Sequence, residues 1–423
     1  MAFSSWKKTG IILLVISALL LTAAYYLPGL LQPDRYRTSI INKIEQATGG
    51  QAAFDSITWR IDNGLWVKIT GFSLQDVPEF PADLLLSEVE LKLELRPLFS
   101  KQIIINRLDI HAPWISLHLT EQMLADDETK SYSDSDTALL PYSIIIQSLN
   151  LTRGELNILD SLSTPGKNIV STLKKMDITS RDLMPGDSID FDFTFQAHSV
   201  EQIGEISGHG QFDGLTEALL LDKPQLNLST HVKDLPVAFF NAYLGEEAAN
   251  KLNGSISFNM DYQGDFEQRY NAAGVFDLSA LSYSETQLWE HPLPGLATNI
   301  GYQVNISGDT LDIDKLDIKL GELSLSAKGS IHDWHNDPVL TDTTVSGQTP
   351  LAVLDYILPW KIIPYADEIR DRVHRTGHFT LEKLTLPETN LNRLIDEPAL
   401  LLTLLQGSGR LQDAAITTPL DIH

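Results

Sequence analysis

A mainly β protein carried on an N-terminal transmembrane helix is what this sequence predicts, and three observations predict it. Gly10 to Leu27, GIILLVISALLLTAAYYL, runs eighteen residues without a charge. Apolar and polar residues alternate with period two over Ser87–Arg96 and again over Ser188–His198, as in strands with one wet and one dry face. Few helical patterns separate the strands, so the expected sheet is antiparallel and meandering rather than built of βαβ units. A long, curved sheet with one dry face and few helices to cover it would form a groove.

The apolar stretch is long enough to cross a bilayer. At 1.5 Å per residue a helix over 10–27 is about 27 Å long, against a hydrocarbon core of about 30 Å. Trp6, Lys7 and Lys8 precede it, Tyr25 and Tyr26 close it, and Pro28-Gly29 stops it. The basic flank should hold tail 1–9 in the cytoplasm and place everything after Gly29 across the membrane. The alternative is a cleaved signal peptide. Leu21-Thr22-Ala23-Ala24 matches a small-residue cleavage site only loosely, and the bulky tyrosines continue the apolar run.

Composition narrows the function. The chain has 423 residues, 43% of them hydrophobic, enough to bury large apolar surfaces. With no cysteine there is no disulfide, thiolate metal site or thiol nucleophile. Lys and Arg number 31 against 56 Asp and Glu, a formal charge of −25. Such a surface disfavours nucleic acid and offers no general attraction to anionic head groups.

The remaining elements follow in order. Segment 28–120 opens with an amphipathic helix over 34–48, DRYRTSIINKIEQAT, with Asp34 as N-cap and Gly49-Gly50 as its stop. Such a helix either caps a β-structure or lies on the membrane; its narrow, weakly basic face favours the cap. Strands follow at Ile57–Ile61 and Trp66–Ile69 around an Asp62-Asn63-Gly64 turn, then at Ser87–Arg96, Ile103–Ile110 and Trp114–Leu119. Residues 121–139 are acidic and aperiodic, a surface loop without the glycine and terminal glutamate of a calcium loop. In 140–234, strands are expected at Tyr142–Leu151 and Glu155–Leu159 with a turn at Arg153-Gly154, then at Ser188–His198, Ile203–Phe212 and Gln225–Val232. A repeat spans 235–348 and 349–423: LPVAFFNAYL at Leu235 and TPLAVLDYIL at Thr349 each lead through a helix to a glycine, Gly254 or Gly377, and a strand. The second copy ends several strands short of the first, the expectation for a truncation, a fragment or the first part of a longer protein; the alternative is a short strand that closes the fold.

The first 120 residues carry a resemblance. An anchor, a short helix ending in Thr48-Gly49, and the pattern of Leu91, Leu93, Leu95, Pro97, Leu98, Ile103, Ile105, Leu108, Ile110, Pro113, Ile115 and Leu117 resemble the N-terminal region of the AsmA-like family. Gly50 stands where that family often has Arg. The resemblance implies an inner-membrane-anchored periplasmic protein of Gram-negative bacteria with a chorein-like repeating β-groove, linked to outer-membrane lipid homeostasis.

Catalytic motifs are lacking. There is no glycine-rich phosphate loop, G-x-S-x-G or H-E-x-x-H. His332 and His335 would not share a strand face, and Gly377 interrupts the helical spacing of His374 and His378. Asp190 and Asp192, like Asp312 and Asp314, read as wet faces of strands, not an acid–base pair. The reading is therefore a non-enzyme without metal or cofactor. Val89, Leu91, Leu93, Leu95, Ile189, Phe191, Phe193 and Phe195 are the candidate groove wall for phospholipid acyl chains. An ordinary packed core is the competing reading of the same residues. The expected function is conduction of phospholipid along the groove in support of outer-membrane assembly. The alternative is a scaffold that grips an outer-membrane or periplasmic protein partner through strand edges.

Overall fold

The computed structural model describes residues 37–77, 82–98, 100, 102–119, 143–161, 169–184, 186–198, 202–216, 221–240, 243, 251–265, 269–278, 280, 282–284, 298–334, 336–353, 374–396 and 404–417. The apolar stretch 10–27 and the acidic segment 121–139 lie outside them. Strands dominate: nineteen belong to one mixed hydrogen-bonded sheet and two short ones pair separately. The chain divides into two compact units, Met1–Leu228 and Ser229–His423.

The first unit opens with helix α1 (Arg37–Thr48). Ile40 and Ile44, one turn apart, are both buried, which gives the helix a single inward stripe. Gly49 ends it at φ 70, its N–H donating to the Glu45 carbonyl at 2.8 Å. Strands β1 (Gln51–Ala53) and β2 (Ser56–Ile61) both pair with β3 (Leu65–Gln75). β4 (Ala82–Leu93) follows, then a four-residue helix α2 (Leu95–Leu98) and β5 (Gln102–Leu119). Leu95 and Arg96 therefore leave the strand expected for them. Pro97 cannot donate to a ladder but fits a first helical turn.

The ladder continues through β6 (Ser143–Asp160), β7 (Ile169–Leu183), β8 (Ile189–His198), β9 (Ile203–Leu215) and β10 (Leu221–Pro236), in which the division between the units falls. Among the described residues the successive neighbours from β3 to β9 are antiparallel except β5 and β6, which run parallel from Gln102↔Ser143 to Leu119↔Asp160. This corrects the wholly antiparallel expectation. A parallel neighbour needs a connection of a dozen or more residues, and the acidic segment between Leu119 and Ser143 supplies it.

Two expected breaks lie inside continuous strands. β5 runs through Pro113 and β6 through Arg153-Gly154, each as one strand of 18 residues. Ala112 (φ 45), Arg153 (φ 56) and Lys175 (φ 49) take left-handed backbone on three successive strands at neighbouring registers. Arg153 and Lys175 each shift the β6–β7 register by one residue and the two shifts cancel, whereas the β4–β5 register runs unchanged past Ala112. Such bulges bend the strands they cross.

The second unit is an antiparallel meander. β10 ends at Pro236, and a 3-10 turn (Val237–Phe240) follows. Short strands β11 (Leu252–Asn253) and β14 (Ser282–Tyr283) pair with each other. The main ladder is β12 (Ser255–Asp265), β13 (Arg269–Asp277), β15 (Thr298–Ser307), β16 (Thr310–Leu320), β17 (Leu323–His332), β18 (Val339–Pro350), β19 (His374–Leu386) and β21 (Gln406–Thr417). β20 (Thr389–Asn390) also pairs with β18 and leads into helix α3 (Leu391–Asp396).

The sequence repeat has a structural counterpart. Pro236 and Pro350 each end a strand and precede a 3-10 turn, the second at Leu351–Val353. Gly254 (φ 110) and Gly377 (φ 104) then open or enter the next long strand. The helices expected after the two prolines are 3-10 turns where described. His374 and His378 both lie on β19, opposite Thr417 and Gln412, and not on a helix.

Candidate functional site

Strand pairing assembles apolar residues into rows on one face of each unit. In the first unit a row runs Ile69, Val89, Ile110, Leu151, Ile178, Phe193 and Gly208, one residue per strand from β3 to β9. A parallel row runs Val67, Leu91, Leu108, Leu149, Ser180, Phe191 and Gly210. Lys68, Glu88 and Glu90 lie on the opposite face, where Lys68 bridges Glu88 at 2.7 Å and Glu90 at 3.1 Å. That ammonium, through its hydrogen bond, holds the Glu88 carboxyl below the ordinary carboxylate range.

The apolar face changes character along these rows. At β2–β5 it is a closed core, with Ile40 and Ile44 of α1 among its members. Val89 is 9% exposed, Leu91 3% and Leu93 0%. From β6 onward the large apolar members of the same rows are only half-buried: Leu149, Leu151, Ile178, Phe191 and Phe193 keep part of their surface in contact with solvent.

The candidate wall residues thus separate. Val89, Leu91, Leu93 and Ile189 belong to the packed cluster and have almost no surface for a ligand. Leu95 sits on α2, partly buried against that cluster. Burial of this kind matches an ordinary packed core for the first four, with Leu95 at its edge. Phe191, Phe193 and Phe195 form a half-buried ladder along β8, their rings stacked at centroid distances of 6.3 and 5.3 Å. Three aromatic rings left partly wet at successive positions of one face form an apolar strip.

In the second unit the apolar face is half-buried almost throughout. One row is Phe258, Phe276, Ile300, Ile318 and Leu325. The next is Met260, Gly274, Tyr302, Leu316, Ala327, Val345 and Leu384. None of these is buried; all keep an intermediate exposure. Phe258 packs on Phe276 at 5.0 Å and Phe276 on Tyr302 at 5.3 Å. Tyr262 and Tyr270 stack at 5.4 Å, and the Tyr262 hydroxyl donates to the Asp265 carbonyl at 2.6 Å. Desolvation, followed by the neighbouring Tyr270 and Asp265, pushes the Tyr262 phenol up to about 12. The other face carries Asn259, Asp261, Asp317, Ser326 and Ser346.

The sequence reading missed this second apolar face as a site. Its signal was present in Ser255–Tyr262 and Asn299–Val304, where large apolar residues alternate with polar ones. Glycines and bulges interrupt the alternation elsewhere. Among the described residues no group of three or more His, Asp or Glu is placed to hold a metal ion. His332 has a Thr310 hydroxyl at 3.2 Å as its partner. Among the described residues no helix is long and apolar enough to cross a membrane. A scan against protein-family models gave no match, and neither did a search of curated proteins.

Proposed function

We propose that this protein binds the acyl chains of phospholipids along its half-covered apolar sheet faces and guides them between membranes, tethered to the inner membrane through residues 10–27. The observation that carries this reading is the run of half-exposed cross-strand rows, Phe258–Leu325 and Met260–Leu384, in the second unit. Contiguous apolar side chains left partly in water are the kind of surface that binds an apolar partner. Each methylene withdrawn from water contributes about 0.8 kcal/mol, so a two-chain lipid gains substantially on such a face. Neighbouring positions along a row are chemically alike, so a chain can shift from one to the next at little cost in free energy. No reacting group is required. The resemblance of the first 120 residues to the AsmA-like family supports the same reading and the periplasmic location.

Extraction of lipid from the purified full chain tests it, together with transfer of fluorescent phospholipid between donor and acceptor vesicles. Co-purifying phospholipid and protein-dependent transfer are expected. A lipid-free protein that transfers nothing contradicts the proposal.

A further inference from the structure

At the hairpin end of the first unit, the polar face carries a row unlike the rest of this acidic chain. Arg60 pairs with Trp66, Trp66 with Lys92, and Lys92 with Arg107, so one indole and three cations lie side by side across β2–β5. The Arg60 guanidinium lies 5.0 Å and the Lys92 ammonium 5.3 Å from the Trp66 ring. Among the described residues no carboxylate pairs with Arg60 or Lys92. Arg107 bonds to Asp109 yet remains 57% exposed. One position beyond Arg60, at the end of β2 and on the other face of the sheet opposite Leu65, Ile61 is 72% exposed, the largest exposure among the large apolar side chains of the described residues. The turn that follows is held by the Asp62 N–H to the Gly64 carbonyl at 3.0 Å and the Trp66 indole N–H to the Asp62 carbonyl at 3.3 Å. The opposing charges nearby are Asp62, Glu94, whose carboxylate accepts from Asn106 at 2.8 Å, and the adjacent row on the same face, where Glu90 is bridged by Lys68 at 3.1 Å and Asp109 by Arg107.

Two cations stacked on one indole repel each other, and an external anion relieves that repulsion. Trp beside Lys and Arg, next to an exposed aliphatic tip, is the composition that settles at a bilayer surface: charges at the phosphates, indole at the head-group level, Ile below it. The sequence places this unit close to a bilayer. Only nine residues, 28–36, separate the apolar stretch from Arg37. Fully extended they span at most about 32 Å.

We infer that the Arg60–Trp66–Lys92–Arg107 row and the Ile61 tip form a docking surface for anionic phospholipid head groups, setting the first unit against the membrane that anchors it. This inference rests on reading residues 10–27 as the anchor. It makes the row a local exception to the repulsion expected from a charge of −25.

The chain has no cysteine, so Ile61→Cys introduces a single thiol for an environment-sensitive fluorophore. The labelled full chain is reconstituted into vesicles of phosphatidylcholine alone or with phosphatidylglycerol, and iodide quenching is measured. Protection only in the anionic vesicles is expected. It should be lost in high salt, and the protected equilibrium should fall about fivefold for each charge removed in Arg60→Gln and Lys92→Gln. Equal quenching in all vesicles overturns the inference, as does protection in neutral vesicles or detergent, which would mark a protein contact instead. Retention on vesicles through an alkaline wash reports the anchor separately. If the chain washes off, quenching read without the wash still decides the docking surface.

Discussion

Phe191 lies across the strand pair from Gly210, and its ring covers the glycine. A Cβ at position 210 would stand 2.7 Å from the ring's Cζ and 2.6 Å from the Asn227 carbonyl oxygen of β10. The second neighbour is backbone and cannot rotate away. Gly210→Ala should therefore destabilise the first unit by about 1–3 kcal/mol, the usual range for overpacking. It should also tilt Phe191 out of its stack with Phe193. Thermal denaturation and near-ultraviolet circular dichroism of the full chain read the two effects.

Leu93 and Phe193 stand on the same sheet face and should respond oppositely. Leu93 is 0% exposed within the closed core, so Leu93→Ala should cost about 2–5 kcal/mol and act on lipid binding only through folding. Phe193 is half-buried. Phe193→Asp should keep the far-ultraviolet spectrum and melting transition near those of the parent while reducing phospholipid retention. Lipid counts and melting curves on the two variants separate core from wall.

The left-handed residue within β5 makes a prediction of its own. Ala112 holds left-handed backbone at φ 45, where a Cβ is disfavoured and glycine is not. Ala112→Gly should leave stability unchanged or raise it by up to about 1 kcal/mol, whereas Ala112→Val should lower it. Were β5 regular at this point, glycine would be the destabilising residue.

These positions also show how far the sequence could be read. Period two over Ser87–Arg96 and Ser188–His198 located the second half of β4 and nearly all of β8, although β4 begins at Ala82 and gives way to α2 at Leu95; Asp62-Asn63-Gly64 identified the β2–β3 turn. Pro113 and Arg153-Gly154 look like chain breaks because turns, bulges and left-handed residues within a strand use the same residue types; only pairing on both sides distinguishes them. The same ambiguity hid β7, whose alternation slips a register at Lys175. Parallel pairing of β5 and β6 leaves no local mark, since it depends on where a long connection returns. Alternation reported which residues face inward but not whether anything covers them. Val89 and Phe193 share a cross-strand row and an identical pattern, yet only Val89 lies in the core that includes α1. The Arg60–Trp66–Lys92–Arg107 row combines residues 47 positions apart, from 60 to 107, and appears only once the register is known.

Alkaline titration probes the second unit. Burial raises the phenols of Tyr262, Tyr270 and Tyr302, Tyr262 to about 12. An acid with a raised folded pKa favours the folded state less as its phenolate forms in the unfolded chain. This contribution is intact below the ordinary value of 10.0 and is lost as pH rises toward about 12. Stability should fall across that window, and Tyr262→Phe should make the fall shallower. Phenolate absorbance near 295 nm, followed together with unfolding, supplies the check.

Photocrosslinking from the second unit tests the central claim most directly. A photoreactive amino acid is placed at Met260 or Leu316 on the apolar face, and at Asn259 or Asp317 on the polar one, in cells grown with labelled phospholipid precursor. The account predicts lipid adducts at Met260 and Leu316 and none at Asn259 or Asp317. Absence of lipid adducts at the apolar positions, or protein adducts there in their place, would contradict it.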